Sequence, residues 1–323
     1  VTFALVLLLI PVPFLSLFGN QREVILLAAD YGRIIGLSYV LNGVTLVYVA
    51  AWRSMERPGI GMYILAASMG TNTFLNWVLI FGKLGAPALG VTGAAIATLI
   101  ARMVEIVIVV VHARRSRVFR LDLGLLFRPG LRTVKQFIRY GSPVVCNETM
   151  WGLGTAIFPT IMGHMAGSTD LISAYTVAGN IDKMVTVAIF GVAAAAAVIV
   201  GKEVGMGGKN AYDIGRALIF VAFCTGLGVA VVEQLLFWLV LQPHVLPLFS
   251  MSAVSASLCV TMMICYSLSA PLHAFATTGI VGVLRGGGDV RAAMLIDLLP
   301  LWLFTLPLLV LLGLILHAPI ALF

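Results

Sequence analysis

Long apolar runs, each separated from the next by a short polar segment, make up most of this sequence. Backbone groups in lipid must form hydrogen bonds within their own segment, so runs of about 17 to 25 apolar residues predict helices that cross a hydrocarbon layer roughly 30 Å thick. The runs span residues 27–51, 59–81, 91–111, 136–165, 172–200, 214–241, 252–283 and 293–316, after a shorter run over residues 1–17. The pattern predicts an all-α, polytopic transmembrane bundle of nine helices.

The composition also indicates a membrane protein. Of the 323 residues, 61% are hydrophobic and 10% are charged, with a mean hydropathy of +1.08, whereas globular domains carry about 25% charged residues. The start, Val1-Thr2-Phe3, has neither the basic segment nor the cleavage site of a signal peptide, so we expect an interior start. The sequence has no GxxxxGK[ST] loop, metal-ligand cluster or nucleophile motif, so neither an enzyme nor a cofactor is expected.

The net charge of +7 is explained by topology. If the helices alternate across the membrane and the basic segment after residue 111 is cytoplasmic, most basic residues lie on the cytoplasmic side. This set comprises Arg53, Arg57, Arg114, Arg115, Arg117, Arg120, Arg128, Arg132, Lys135, Arg139, Lys202, Lys209, Arg216, Arg285 and Arg291, against Arg22 and Lys83 on the other side. The bias follows the positive-inside rule, so no nucleic-acid partner is needed, and the basic segment could lie partly on anionic membrane lipids.

An internal repeat divides the chain into two halves. Leu17-Phe18-Gly19 recurs as Leu248-Phe249-Ser250, and the helix-ending Arg53 recurs as Arg285, an offset of about 232 residues that keeps spacing and membrane side. The repeat predicts two pseudo-symmetric six-helix lobes. Residues 1–111 are the N-lobe fragment, 112–135 a basic cytoplasmic linker, and 136–323 the C-lobe. From the same offset we expect a twelve-helix protein of about 445 to 450 residues, with about 100 further residues before this segment and one more helix after it.

Three groups of motifs carry a resemblance to a known family. They are Asn72-Thr73-Phe74-Leu75-Asn76 with Leu79 to Gly82 and Gly85 to Thr98, Ser142-Pro143 to Asn147-Glu148 with Trp151 and Gly154, and Leu284-Arg285-Gly286-Gly287-Gly288-Asp289. With these motifs the chain resembles the multidrug and toxic compound extrusion (MATE) family, from its third helix to its eleventh, and especially prokaryotic members. The resemblance implies a cation-coupled antiporter that exports organic, often cationic compounds through a cleft between two lobes.

Two carboxylates lie deep within predicted helices. Glu148 lies about 18 Å into a helix that enters from the cytoplasm, and Asp182 about 15 Å into the next helix, at 1.5 Å per residue. An ionised group there costs about 2.5 to 3.5 kcal/mol, so it needs a partner or a purpose. Both residues are predicted to couple transport to H⁺ or Na⁺, with Na⁺ considered at Glu148. The alternatives are an interhelical hydrogen bond for Glu148, and neutralisation of Asp182 by Lys183 and Asn180.

Other polar side chains are candidates for a substrate cavity or for gating. The cavity candidates are Asn42, Asn72 and Asn76 in the first half, and Tyr175, Asn180 and His273 in the second. Interhelical bonding is the alternative for the asparagines, and aromatic packing for His273. The candidates for cytoplasmic signature or gating contacts are Arg53, Arg285 and Asp289, with an ordinary turn as the alternative for Asp289. This chain has Ala274 where one branch of the family carries an aspartate, which argues against a two-carboxylate sodium site of that kind.

The sequence thus predicts a secondary active antiporter that exports organic, cationic compounds in exchange for protons or sodium ions. We expect a monomer in the cell membrane, the inner membrane if the source is bacterial. The alternative is a flippase for lipid-linked oligosaccharides or polysaccharides, but such a protein would line its cavity with arginines, and the deep basic residues here are Arg33, Arg102 and Lys183. A receptor or scaffold would not need midplane carboxylates or two lobes.

Overall fold

The computed structural model describes residues 2–16, 22–116, 130–165, 168–245 and 251–316, and within these ranges the regular structure is helical throughout. Packing divides the chain into two units, Val1–Arg128 and Pro129–Phe323. Residues 117–129 of the predicted linker, and the repeated triplets at 17–19 and 248–250, lie outside the described residues. The helices on either side of the linker extend into it, ending at Arg115 and beginning at Leu131.

The first unit contains five helices. They are α1 (Thr2–Leu9), α2 (Pro11–Leu15), α3 (Arg22–Ser54), α4 (Gly59–Phe81) and α5 (Gly90–Arg115). Helix α5 packs against both α3 and α4.

Two local ion pairs, expected from their i,i+3 spacing, form in the first unit. Asp30 binds Arg33 at 3.6 Å on α3, and Arg102 contacts Glu105 on α5. The Glu105 side chain is almost fully buried. Both pairs neutralise charge within a single helix, so neither requires a partner from elsewhere.

The second unit contains five longer helices. They are α6 (Leu131–Gly163), α7 (Ser168–Gly205), α8 (Ala211–Leu236, continued by π-helical turns over Phe237–Val245), α9 (Ala253–Thr277, continued over Thr278–Arg285) and α10 (Val290–Leu299, continued over Pro300–Thr305, Leu306–Val310 and Leu311–Ile315). Helix α9 packs against both α7 and α8, and α10 packs against α6.

The helix count differs from the predicted nine spans. Seven helices of the described chain are long and apolar enough to cross a membrane. The first run is not one helix, because Pro11 has no N–H to continue the ladder and the chain forms the two short helices α1 and α2. Helix α6 is long enough, but it is more polar than the seven and is not among them. The all-α membrane bundle is confirmed, and the two further spans of the predicted nine stay a prediction.

Large apolar side chains point outward and small ones inward in both units. Met62, Tyr63 and Leu65 of α4 are exposed, whereas Ala97 and Ala101 of α5 are fully buried. A water-soluble domain would not expose so many large apolar groups, since such patches are costly in water. Small residues at helix contacts let backbones approach closely, which is the packing that lipid favours.

A close helix contact in the second unit joins α8 to α9 at Gly226. A Cβ atom at Gly226 would lie 2.6 Å from the Cα of Pro271 and 2.8 Å from the carbonyl oxygen of Ala270. Next to this contact, Ile189 of α7, Val229 of α8 and Ala274 of α9 form a buried apolar cluster. The missing side chain of Gly226 therefore allows three helices to meet.

We predict that Gly226→Ala lowers the apparent melting temperature of the purified protein by several degrees. The added methyl group meets backbone atoms of α9, and overpacking of this kind costs about 1–3 kcal/mol. Gly228→Ala is the matched control, because nothing lies within 4 Å of its Cβ position, and alanine favours a helix by about 0.5–1 kcal/mol. Thermal unfolding in detergent gives the melting temperature of each variant. Equal melting temperatures for Gly226→Ala and Gly228→Ala would contradict this packing.

Candidate functional site

Four polar side chains from α6, α9 and α10 form one cluster, called here the ionic cluster: Asn147, Glu148, Arg285 and Asp297. The Arg285 guanidinium donates to Glu148 Oε1 at 2.7 Å and lies 3.7 Å from Asp297 Oδ2. The Asn147 amide donates to the same Asp297 oxygen at 2.7 Å. These contacts tie three helices together within the second unit.

The turn between α9 and α10 places Arg285 and Asp297 side by side. Asp289 caps the start of α10, where its Oδ1 accepts a hydrogen bond from the Ala292 N–H at 3.2 Å. At Gly286, a Cβ atom would lie 2.8 Å from Ala197 Cα, so only glycine lets the turn pack this closely on α7. The chain reverses within a few residues, and Asp297 comes two turns into α10, beside the end of α9.

Exposure differs among the members of the ionic cluster. The side chain of Arg285 is 15% exposed and that of Asp297 25%, whereas that of Glu148 is 61% exposed. Two ionised carboxylates share one guanidinium, which leaves the cluster with one negative charge in excess. A partly exposed anion with this excess charge can accept a proton or a monovalent cation.

The ionic cluster joins two residues that have separate predicted roles. Glu148 is a predicted coupling residue near the midplane, and Arg285 a predicted contact at the cytoplasmic end of a helix. Their hydrogen bond puts the two side chains at one level in the bundle. Helix α6 begins at Leu131, five residues before the predicted start, so Glu148 lies about 25 Å along it.

A second group of candidates lines a polar cavity of about 270 Å³ along α7. Its walls are Tyr175, Thr176, Gly179, Asn180, Asp182 and Lys183 of α7, with Tyr266 of α9. Spacings of three and four residues put the α7 members on one face of the helix. The cavity therefore brings together Tyr175, Asn180 and Asp182. Within the described chain, the Asp182 carboxylate forms neither a hydrogen bond nor an ion pair with Lys183.

A larger apolar cavity of about 610 Å³ adjoins the polar one through Tyr175 and Tyr266, which line both. Phe158 of α6, Met262 of α9 and Phe304 of α10 are among its other walls. Aromatic and aliphatic walls bind an apolar body, and a few polar groups at one end fix its orientation. The two cavities together present an apolar chamber with a carboxylate beyond it.

His273, the remaining cavity candidate of the second unit, is not among the residues that line either cavity. The His273 ring packs edge-on against Phe190, with the ring centroids 6.0 Å apart, and lies within electrostatic range of Asp182. Its position on α9 therefore gives it an aromatic neighbour on α7.

The first-unit candidates stay within their own unit. Asn76 donates to Asn72 at 3.0 Å, and Asn72 donates to Thr98 of α5 at 3.2 Å, which is a bonded bridge between α4 and α5. Asn42 is half-buried in the middle of α3, and Arg53 is exposed in its last turn.

The sequence did not point to Asn147, Asp297, Tyr266 or Glu233 as members of a site. Asn147 and Asp297 meet only because the α9–α10 turn is tight, and Tyr266 faces Tyr175 across two helices. Glu233 does carry a signal in the sequence, because it is a charged residue within an apolar run without an opposite charge nearby in sequence. Among the described residues, no group of three or more His, Cys, Asp or Glu side chains is placed to hold a metal ion.

Comparisons with known proteins agree on one family. A family model described as MatE matches residues 1–78 and 143–311. A protein of Halalkalibacterium halodurans named "Probable multidrug resistance protein NorM" is 30% identical over 304 residues, covering 91% of this chain and 63% of that protein. A protein of the same name from Pasteurella multocida is 27% identical over 256 residues, 76% of this chain and 52% of that protein.

The fold matches solved structures across most of the chain. A structure titled "Outward-facing conformation of a multidrug resistance MATE family transporter of the MOP superfamily" has a TM-score of 0.81 at 18% identity, covering 97% of this chain and 68% of that chain. At this identity the likeness concerns the fold. The chain spans roughly half to two-thirds of the length of the two curated relatives, 52% and 63%.

We predict that Arg285→Met destabilises the protein far more than Glu148→Gln. Loss of Arg285 leaves two carboxylates close together without a cation, and loss of one partner of a largely buried pair costs about 3 kcal/mol or somewhat less where water reaches it. Glu148→Gln leaves Arg285 paired with Asp297, and the exposed Glu148 contributes little. Apparent melting temperatures in detergent measure the difference, and a similar loss in both variants would refute the shared-guanidinium arrangement.

Proposed function

Because the chain belongs to the MatE family, we propose that the protein is a secondary active antiporter that exports organic cations across the cell membrane in exchange for protons or sodium ions. The relatives named multidrug resistance proteins are bacterial, and a bacterial inner membrane is the proposed location. The helices of both units are long and apolar enough for a multi-pass membrane protein.

One observation carries the proposed substrate class: the carboxylate of Asp182 lies in a polar cavity that adjoins a larger apolar one. An organic cation has an apolar or aromatic body and a positive charge. The apolar cavity fits the body, Tyr175 and Tyr266 offer aromatic faces to a cation, and Asp182 offers the opposite charge. A lipid-linked pyrophosphate would meet a carboxylate instead of the arginines that it needs.

Coupling follows from competition for the same negative charge. At an effective dielectric constant near 20, two unit charges about 4 Å apart interact by about 4 kcal/mol, so an ionised Asp182 attracts an organic cation strongly. A proton or sodium ion that binds to this carboxylate cancels the attraction. Inward movement of the ion down its gradient then favours release of the substrate outside.

The ionic cluster supplies a second place for coupling. Glu148 shares Arg285 with Asp297, and the cluster has one negative charge in excess. A proton or sodium ion at Glu148 competes with its bond to Arg285, so ion binding loosens the link between α6 and α9. We propose that this change helps the second unit to move between the inward-open and outward-open conformations that alternating access requires.

Efflux from proteoliposomes tests the proposed function. The protein at its full natural length is reconstituted with a fluorescent organic cation inside, and a proton gradient and a sodium gradient are applied separately. We expect transport under at least one gradient, and initial rates at least tenfold lower for Glu148→Gln and Asp182→Asn, because each substitution removes a charge that the ion neutralises.

Two surface substitutions are matched controls for this experiment. Glu23→Gln and Asp213→Asn make the same chemical changes at exposed positions in the first turns of α3 and α8, and both are expected to transport like the wild type. The coupling roles fail if Glu148→Gln and Asp182→Asn transport as well as the wild type under both gradients. The proposed function itself fails if the wild type moves no organic cation under either gradient.

A further inference from the structure

Glu233 is a buried carboxyl group that the proposed function leaves without a role. Its side chain on α8 is 0% exposed. Within the described part of the chain, neither of its oxygens has a hydrogen-bond partner. An acid in this condition is rare, because buried polar groups are nearly always paired.

The surroundings of Glu233 are apolar and fixed in place. Phe237, one turn further along α8, is fully buried, and Val229, one turn earlier, belongs to the cluster with Ile189 and Ala270. The neighbouring Gln234 fixes α8 against α9 by donating hydrogen bonds to the Met263 carbonyl oxygen at 3.2 Å and to Ser267 Oγ at 2.6 Å. Helix α8 therefore cannot rotate to bring Glu233 to the surface without breaking these bonds.

An ionised carboxylate is not stable in these surroundings. Removing such a charge from water costs several kcal/mol even after relaxation, and no donor or cation of the described chain offsets this cost. A sodium ion would need several oxygen ligands, which apolar neighbours do not provide. A bound proton needs none, so the neutral acid is the form that fits.

Asp182 links Glu233 to water. It lies on α7 one turn before Val185, which packs on the apolar cluster that contains Val229, one turn before Glu233. It also lines the polar cavity. The charged or titratable groups that interact electrostatically with Asp182 are His273 and Lys183. Those that interact with Tyr266, which lines the same cavity as Asp182, include Tyr175, Cys259 and Cys265. Lys183 and His273 lie on the Asp182 side, which leaves Asp182 as the acidic neighbour of Glu233.

We propose that Glu233 and Asp182 form a proton-binding pair, in which Glu233 stores one proton and Asp182 exchanges that proton with the polar cavity. A proton from cavity water binds to an Asp182 oxygen and then passes to a Glu233 oxygen, directly or through one water molecule. The charge of the pair changes from minus two to minus one. Two neighbouring ionised carboxylates repel one another, so the pair keeps one proton unless another cation takes its place.

The pair gives the proposed antiport its ion site, and this part of the inference rests on the proposed function. When an organic cation enters the polar cavity, its positive charge takes the place of the proton, and Glu233 releases that proton through Asp182. When a proton returns, the attraction between the pair and the cation weakens and the cation leaves. The coupling ion at this site is the proton.

Infrared spectroscopy of the purified, full-length protein tests the site without any substrate. We expect the wild type at neutral pH to show the C=O stretch of a protonated carboxyl group, and Glu233→Gln to lose the intensity of one such group. Glutamine has the size of the neutral acid, so the fold is kept. Asp182→Asn keeps the band because Glu233 remains protonated, and the exposed control Glu23→Gln keeps it as well.

Two results would overturn this assignment. One is an unchanged band in Glu233→Gln, which would mean that Glu233 is ionised in the folded protein. The other is loss of the band in Asp182→Asn alone, which would put the proton on Asp182.

Transport measurements separate this inference from the proposed function. In proteoliposomes, we expect Glu233→Gln to lose at least tenfold of the proton-driven transport rate of an organic cation, whereas the exposed control Glu23→Gln transports like the wild type. Proton-driven transport at the wild-type rate would overturn the role of Glu233 in coupling. A wild type that moves no organic cation would contradict the antiport proposal, while the carboxyl band would still decide whether Glu233 holds a proton.

Discussion

Charge in a low-dielectric helix bundle must be neutralised, and this constraint organises the second unit. The acids of this unit meet it in different ways. Glu148 and Asp297 share Arg285, and Asp170 accepts hydrogen bonds from Ser252 and Ser255 at the start of α9. Among the described residues, Glu233 has no hydrogen-bond partner and its side chain is not exposed, which leaves a proton as its remaining means of neutralisation. Where neutralisation depends on a mobile ion, the acid becomes a place at which transport can be coupled.

Close helix packing determines whether an acid is neutralised by an ion pair, by hydrogen bonds or by a bound proton. Gly226 brings α8 against α9, and Gly286 lets the α9–α10 turn lie against α7. The first contact holds Glu233 away from water, and the second sets Arg285 beside Asp297. Small residues thus decide the chemistry of acids that lie one or two turns away. The same packing leaves Asp182 on the wall of a cavity, where it can meet both water and substrate.

Hydropathy alone predicted the fold class, because every long apolar run in lipid must form its backbone hydrogen bonds within its own helix. It did not show that Pro11 divides the first run into two short helices, or that α6 is more polar than the other long helices. The cavity members Tyr175, Asn180 and Asp182 were predictable from spacing on one helix. The bonds from Arg285 to Glu148 and Asp297 were not, because they depend on a turn and on the relative levels of three helices, which no local pattern records.

The central claim is that protons and organic cations compete for carboxylates of the second unit. Its most direct test is the pH of a weakly buffered, sodium-free solution of the purified, full-length protein while a fluorescent organic cation is added. The account predicts that cation binding releases protons from the wild type, and that the double variant Asp182→Asn, Glu233→Gln releases none. Binding of the cation by the wild type without any change in pH would contradict the account.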